Sequence, residues 1–176
     1  MVATLGEQEF RDLMAGVCAP VTIVTAAQDD IPYGATVSAF ASLSLRPPMV
    51  TVALDRGSNV LARITATGRF GVNILSRVQG DLALDFARRG TDRFTDVDWR
   101  YDHHLPRLAD APGWLVCDVT QAVEGGDHLL LLGTVTHART RPAAPLVYGH
   151  RTFGTHSAYA DRPRRAITDH VEACAR

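Results

Sequence analysis

Two long β-prone stretches joined by a glycine-rich turn constrain the fold of this chain more than any other feature. Trp114 to Val123 and His128 to Ala138 are rich in apolar and β-branched residues, and Glu124-Gly125-Gly126-Asp127 separates them. Glycine accepts the positive φ that tight hairpin turns require. The sequence therefore predicts a long antiparallel hairpin, and with it a β-rich domain.

Shorter strands and a few helices are predicted around this hairpin. Apolar spacing and capping residues indicate helices at Glu7 to Val17, Asn59 to Thr67 and Gln79 to Arg88. The other predicted strands are Val21 to Ala27, Tyr33 to Phe40, Met49 to Leu54, Phe70 to Leu75 and Leu146 to Tyr148. Because the helices do not alternate regularly with the strands, the pattern favours a mainly β, closed or nearly closed antiparallel barrel with a few flanking helices over a doubly wound sheet.

The domain organisation is simple. Residues 1–160 are expected to form one domain, and residues 161–176 an Arg-rich tail. Residues 90–112 show no clear period and are rich in Asp, Arg, His and Pro. We expect this stretch to be a surface excursion over the core.

Composition excludes several classes of function. All 18 basic residues are Arg, so the chain has no P-loop or Schiff-base lysine, and a net charge of -1 argues against nucleic-acid binding by bulk electrostatics. The 14 glycines never lie two or four residues apart, which excludes a strict G-x-G-x-x-G or G-x-S-x-G motif. The seven histidines never lie three to five residues apart, and the three cysteines are widely separated, so we expect no disulfide framework and no metal site, which only long-range assembly of distant residues could form. With no signal peptide and no apolar run of membrane length, a cytoplasmic protein without membrane contact is expected.

A row of small hydroxyl side chains is the richest polar feature. On one extended backbone, hydroxyls at alternate positions would share a face, next to free backbone amides. Such a face could hold a flat polar heterocycle or a phosphate, or it could be an ordinary solvent-exposed strand face. The residues are Thr36, Ser38, Ser42 and Ser44, with Val37 and Ala39 between the first of them.

Two further segments are candidates for binding a phosphate. Asp55, Ser58 and Asn59 open a predicted helix, whose N-terminal amides could hold an anion, although Ser58 could serve only as the N-cap. Arg88 and Arg89 could complete the site with permanently charged donors, or they could simply oppose the helix dipole.

The residue that follows the glycine-rich turn is a candidate for chemistry. His128 begins a strongly apolar strand, where its imidazole could donate a hydrogen bond or a proton into a pocket. A purely structural role at the start of the strand is the other interpretation.

Taken in order, these motifs resemble the flavin reductase family, the FMN-binding split-barrel reductases of two-component monooxygenases. The resemblance runs from about Phe10 to Gly154. The segments that carry it are Pro20-Val21-Thr22-Ile23-Val24-Thr25, the run Gly-x-Thr-x-Ser-x-Phe-x-Ser-x-Ser-x-x-Pro-Pro that begins at Gly34, Gly68-Arg69-Phe70-Gly71-Val72-Asn73-Ile74-Leu75, and Gly126-Asp127-His128.

The resemblance implies a homodimer that transfers a hydride from NADH or NADPH to FMN or FAD and releases the reduced flavin to a partner monooxygenase. It places Thr36 to Ala39 along the isoalloxazine edge, and His128 beside the ring where nicotinamide stacks. It places Ser42, Ser44, Asp55, Ser58 and Asn59 near the ribityl chain and phosphate, with Arg88 or Arg89 neutralising the phosphate. A flavin-binding or sensor protein without turnover, and another flavoenzyme such as an oxidase, are the alternatives that the sequence leaves open.

Overall fold

The computed structural model describes residues 5–88, 90 and 93–160, so the predicted tail lies outside the described residues. The elements, in chain order, are α1 (Glu7–Ala15), β1 (Ala19–Pro20), β2 (Thr22–Gln28), β3 (Ile31–Val37), β4 (Phe40–Leu45), β5 (Pro48–Asp55), α2 (Asn59–Thr67), β6 (Arg69–Ile74), α3 (Gly80–Ala87), β7 (Trp99–Asp102), β8 (Leu105–Leu108), β9 (Gly113–Gly125), β10 (His128–Thr140), β11 (Val147–Gly149) and β12 (Thr152–Gly154).

Seven strands form one antiparallel sheet in the order β3-β2-β6-β9-β10-β5-β4. The two strands at its edges are consecutive in the chain and are connected only by Ser38 and Ala39, so the sheet curves back on itself. At the junction the Ala53 amide donates to the Ala39 carbonyl at 3.0 Å. The predicted mainly β, antiparallel architecture with flanking helices is confirmed.

The predicted long hairpin forms the centre of this sheet. Strands β9 and β10 pair from Gly113↔Thr140 to Gly125↔His128, and only Gly126 and Asp127 make the turn. Gly126 has a φ of 67°, which explains the need for glycine there. The second strand begins at His128 as predicted, whereas β9 continues two residues further toward the turn, and both strands extend beyond the predicted bounds at the opposite end of the hairpin.

The interior of the curved sheet is filled by apolar residues that alternate along its strands. In β5, Val50, Val52 and Leu54 are buried, as expected for a strand with one face in the core. Helix α2 packs its own apolar residues, Val60 and Ile64 among them, into the same cluster. Ser58 caps this helix by accepting from the Leu61 amide at 3.4 Å, and Gly68 ends it at a φ of 72°.

The described part of the stretch 90–112 is not the surface excursion that we expected. Strands β7 and β8 form a hairpin, and Phe94 and Leu108 are buried in a second apolar cluster with α3. The Phe94 ring packs edge-on against Phe86 at 5.1 Å between centroids. The apolar residues are too widely and irregularly spaced to give a period, which is why the sequence pattern missed a packed segment.

Most of the other predicted elements differ from the structure by about one residue at their ends, and two differ by more. The strand predicted from Tyr33 to Phe40 breaks at Ser38 and Ala39, where the chain passes from one sheet edge to the other. Helix α1 ends at Ala15 rather than Val17, and it buries none of its residues in this chain. Among the described residues, no helix is long and apolar enough to cross a membrane.

Candidate functional site

The β5–α2 loop and the β9–β10 turn meet at one end of the sheet. In the pairing of β5 with β10, Asp55 lies directly opposite His128. The Arg56 amide donates to the Asp127 carbonyl at 3.0 Å, which extends the contact beyond the last strand pair. Two segments that the sequence singled out separately, 55–59 and 126–128, therefore form one surface.

The imidazole of His128 is held by its neighbour. Its Nδ1 lies 2.8 Å from Oδ1 of Asp127. The hydrogen bond from His128, and then its charge, hold the pKa of the Asp127 carboxyl below its usual value. The His128 side chain is 43% exposed, and because Nδ1 is engaged, Nε2 is the nitrogen that a ligand would meet.

The polar groups of the β5–α2 loop are partly engaged in its own structure. Asp55 Oδ1 accepts from the Gly57 amide at 2.7 Å, and Ser58 Oγ caps helix α2. The N-capping interpretation of Ser58 is thus realised. Asn59 is exposed at the first position of the helix.

The four predicted hydroxyl residues do not lie on one strand. The prediction that their side chains share a single extended face is therefore wrong. Thr36 donates its hydroxyl to the Ala83 carbonyl of α3 at 2.6 Å, and Val37 points into the core. The chain then leaves β3, and only Ser38 and Ala39 are exposed at the junction near the Asp55 end of β5.

The other two hydroxyls lie at the far end of β5. Ser42 pairs with Val50 and Ser44 with Met49, with a register shift between them. At about 3.3 Å per residue, five to six residues place them roughly 16–20 Å from Asp55. Ser44 Oγ also accepts from the Arg46 amide at 3.2 Å.

The predicted arginine pair is only partly described. Arg88 ends α3, is exposed, and pairs with Asp85 at 3.2 Å, whereas Arg89 lies outside the described residues. Arg93 was not among the predicted residues, but its guanidinium donates to the carbonyls of Gly34 and Arg88 and so connects the end of α3 to β3. Burial lowers the pKa of Arg93, and no spacing signal marked it within an aperiodic stretch.

One group of potential metal ligands comes together away from this surface. Ligand atoms of Asp102, His103 and His137 lie within 4.8 Å of one another. Arg107 pairs with Asp102 at 3.1 Å and Arg139 donates to Nε2 of His137 at 3.1 Å. The two guanidinium groups thus engage Asp102 and His137, and their charges oppose a further cation there.

A cavity of about 650 Å³ lies elsewhere, beside the segment that connects β6 to α3. Its lining includes Ser76, Gln79, Asp98 and Arg141, and none of the predicted site residues. Of the predicted residues, Ser38, Ala39, Asp55 and Asn59 are instead exposed at one end of the sheet, and Ser42 is exposed on β4.

Comparison with known proteins gives one consistent result. The family described as flavin reductase like domain matches residues 14–157. The reductase component of a 4-nitrophenol 4-monooxygenase/4-nitrocatechol 2-monooxygenase from Rhodococcus opacus is 42% identical over 150 residues, which cover 85% of this chain and 81% of that protein. The reductase subunit HsaB of a flavin-dependent monooxygenase from Mycobacterium tuberculosis is 32% identical over 152 residues, with 84% and 81% covered.

Solved structures agree with the sequence relatives. The NADH:FAD oxidoreductase SgcE6 from Streptomyces globisporus C-1027, in complex with NAD and FAD fragments, superposes with a TM-score of 0.83 at 31% identity, covering 90% of this chain and all of that one. Flavin reductase PheA2 superposes with a TM-score of 0.81 at 29% identity, covering 87% and 99%.

Proposed function

This chain belongs to the flavin reductase family, and on that premise we propose that it transfers a hydride from NADH or NADPH to FMN or FAD and passes the reduced flavin to a separate flavin-dependent monooxygenase. Curated relatives named as reductase components of monooxygenases support this proposal, as does a structural neighbour named as an NADH:FAD oxidoreductase. The chain spans most of the length of these proteins.

The observation that carries the proposal is the register of β5 against β10. It sets His128 opposite Asp55, so that the predicted nicotinamide contact shares one end of the curved sheet with the predicted ribityl contacts of the β5–α2 loop. The donor set there fits a flavin: exposed Ser38 and Asn59, the backbone at Ala39, and the N-terminus of α2 provide hydrogen bonds to a polar heterocycle and its chain.

The flavin supplies the hydride-accepting chemistry when bound, so this chain has only to bind and orient. We propose that Thr36 to Ala39 run along the isoalloxazine edge, with contacts from exposed Ser38 and from the backbone of Ala39. The Thr36 hydroxyl already donates to the Ala83 carbonyl and Val37 is buried, so their side chains are not assigned a contact. When His128 donates Nδ1–H to Asp127, its neutral ring presents Nε2 as an acceptor, and its protonated ring presents Nε2 as a donor. His128 is therefore suited to orient the nicotinamide amide or to supply positive charge next to the reduced ring.

The phosphate contacts fall into two groups that cannot hold the same phosphate. Asp55, Ser58 and Asn59 lie at one end of β5, and Ser42 and Ser44 at the other. We keep both groups as proposed contacts to the ribityl chain and phosphate, with Arg88 or Arg89 as the neutralising charge. The Kd values of FMN and riboflavin for Ser44→Ala and Asn59→Ala decide which group contacts the phosphate. The substitution in that group should weaken the binding of FMN and leave the binding of riboflavin unchanged.

We also propose a homodimer. The apolar side of α1 carries Phe10, Leu13 and Met14, each about half exposed or more. An exposed apolar patch of this kind is typical of a protein–protein interface. Light scattering coupled to size exclusion tests the proposal, and a monomeric mass at micromolar protein would refute it.

The decisive experiment is a matrix of nucleotide against flavin. Purified protein is mixed with NADH or NADPH and with FMN or FAD, and the nicotinamide absorbance band is followed with and without each component. We expect loss of that band only when protein, nucleotide and flavin are all present. No flavin-dependent loss with either nucleotide would refute the proposal, and a tightly held yellow chromophore that the nucleotides cannot bleach would instead indicate a binding protein.

A further inference from the structure

The turn that carries His128 is exposed and short. Residues 121–127 are all exposed, and the turn consists of Gly126 and Asp127 alone. Exposed hairpin tips open readily unless they are tied down. Whatever fixes this turn also fixes the imidazole that follows it.

Arg56, in the loop between β5 and α2, holds the turn by hydrogen bonds. The Arg56 amide donates to the Asp127 carbonyl at 3.0 Å, and Arg56 Nε donates to the Gly126 carbonyl at 3.0 Å. A terminal nitrogen of the same guanidinium lies 3.6 Å from Oε1 of Glu124. Both carbonyls of the two-residue turn are therefore held by Arg56, which precedes the helix cap Ser58 by two residues.

We propose that Arg56 is a positioning residue for hydride transfer, which acts by fixing the Gly126-Asp127 turn and through it the orientation of His128. The proposal rests on the proposed function and adds a residue to it. The guanidinium is directed to the turn, so Arg56 is not assigned a contact with flavin or nucleotide. Its effect is on how the ring of His128 is presented, because hydride transfer tolerates little misplacement of the groups that orient the two rings.

Substitution of Arg56 removes the side-chain contacts but keeps the backbone hydrogen bond. Arg56→Ala is therefore expected to lower kcat by about 3- to 10-fold, which corresponds to the free energy of one hydrogen bond. The KM for flavin should stay within about twofold. Arg56→Lys keeps the charge near Glu124 and is expected to recover part of the loss. Arg69→Ala is the matched control, because Arg69 Nε also donates at 3.0 Å, but to Asp118, away from the turn.

A double-variant test separates positioning from general weakening. If Arg56 acts through His128, Arg56→Ala causes no additional loss of kcat in the His128→Ala background, because coupled residues are non-additive. A loss of kcat on Arg56→Ala in the wild-type background but not in the His128→Ala background, with unchanged melting temperature, supports the proposal. An equal fold loss in both backgrounds, or an unchanged kcat in Arg56→Ala, overturns it.

A measurement without activity completes the test. The ring resonances of His128, assigned by their absence in His128→Ala, should broaden or move in Arg56→Ala and remain in place in Arg69→Ala. Unmoved resonances in Arg56→Ala overturn the inference. A wild-type protein that reduces no flavin refutes the proposed function, whereas these ring resonances report on the positioning of His128 whether or not flavin is reduced, so the two failures are distinguishable.

Discussion

His128 and Asp127, neighbours at the start of β10, are joined by a 2.8 Å contact between Nδ1 and Oδ1. Adjacent residues on a strand normally point to opposite faces, so this contact exists only because Asp127 belongs to the turn rather than to the strand. It fixes which imidazole nitrogen is free for a ligand. The sequence motif Gly126-Asp127-His128 is thus also a structural unit.

Replacement of His128 should affect catalysis more than flavin binding. We expect His128→Ala to lower the hydride-transfer rate on the order of 100-fold, as for loss of a positioned polar group, with a much smaller change in the Kd for flavin. Single-turnover absorbance gives the rate and flavin fluorescence the Kd. Asp127→Asn, which keeps the size of the side chain, should show a smaller loss of the same kind, and an unchanged rate in His128→Ala would leave that residue a structural role only.

Charge at the end of α3 should matter for flavin phosphate. Arg89→Ala is expected to raise the Kd for FMN, and more strongly at low than at high salt, because dissolved ions screen the attraction between a guanidinium and a phosphate. Riboflavin, which lacks the phosphate, should bind both proteins equally. Arg88→Ala is the comparison: Arg88 is already paired with Asp85, and if it alone shows the salt-dependent effect, the assignment moves to Arg88.

Much of the fold could be predicted because its signals are local. The turn at Gly126, the cap at Ser58 and the end of α2 at Gly68 each depend on a few neighbouring residues, and each was predicted correctly. The burial of Phe94 and Leu108 was missed, because it depends on contacts with α3 that no local period records.

The site was harder to predict for the same reason. The motifs identified segments but could not show that Asp55 faces His128, since that follows from strand register. Alternating hydroxyls predict one continuous strand, but closure of the sheet breaks the chain at Ser38 and divides them. Arg56 and Arg93 act through backbone carbonyls of distant segments, so their own sequence neighbourhoods carry no signal of their roles.

A glycine in the long hairpin is required by packing. A Cβ at Gly133 would lie 2.5 Å from the Phe70 ring, which is fully buried, and so Gly133→Ala should destabilise the protein by about 1–3 kcal/mol through overpacking. Urea unfolding followed by circular dichroism measures this. Gly154→Ala is the control, because a Cβ at that strand position meets nothing within 4 Å; equal midpoints for the two variants would contradict the packing argument.

The ion pair between Asp102 and Arg107 should make stability depend on pH in the acid range. Burial raises the pKa of the Asp102 carboxyl, but the hydrogen bond from Arg107 and the charges of Arg139, Arg107 and His103 together lower it below its usual 3.8. The unfolded chain therefore binds this proton more tightly than the folded one. The stabilisation is complete above the unfolded pKa and is lost as the pH falls through the lower, folded pKa.

Asp102→Asn tests the predicted direction of this pH dependence. Both partners are largely buried, with 13% and 15% of their side chains exposed, so the variant should lose about 1–3 kcal/mol of unfolding free energy at pH 7. The difference from wild type should shrink below about pH 4, as the wild-type carboxyl is itself protonated. Asp85→Asn removes the exposed pair with Arg88 and should cost almost nothing. If Asp102→Asn lowers the free energy of unfolding equally at pH 7 and pH 3, the aspartate stabilises the β7–β8 hairpin by packing and not by its charge.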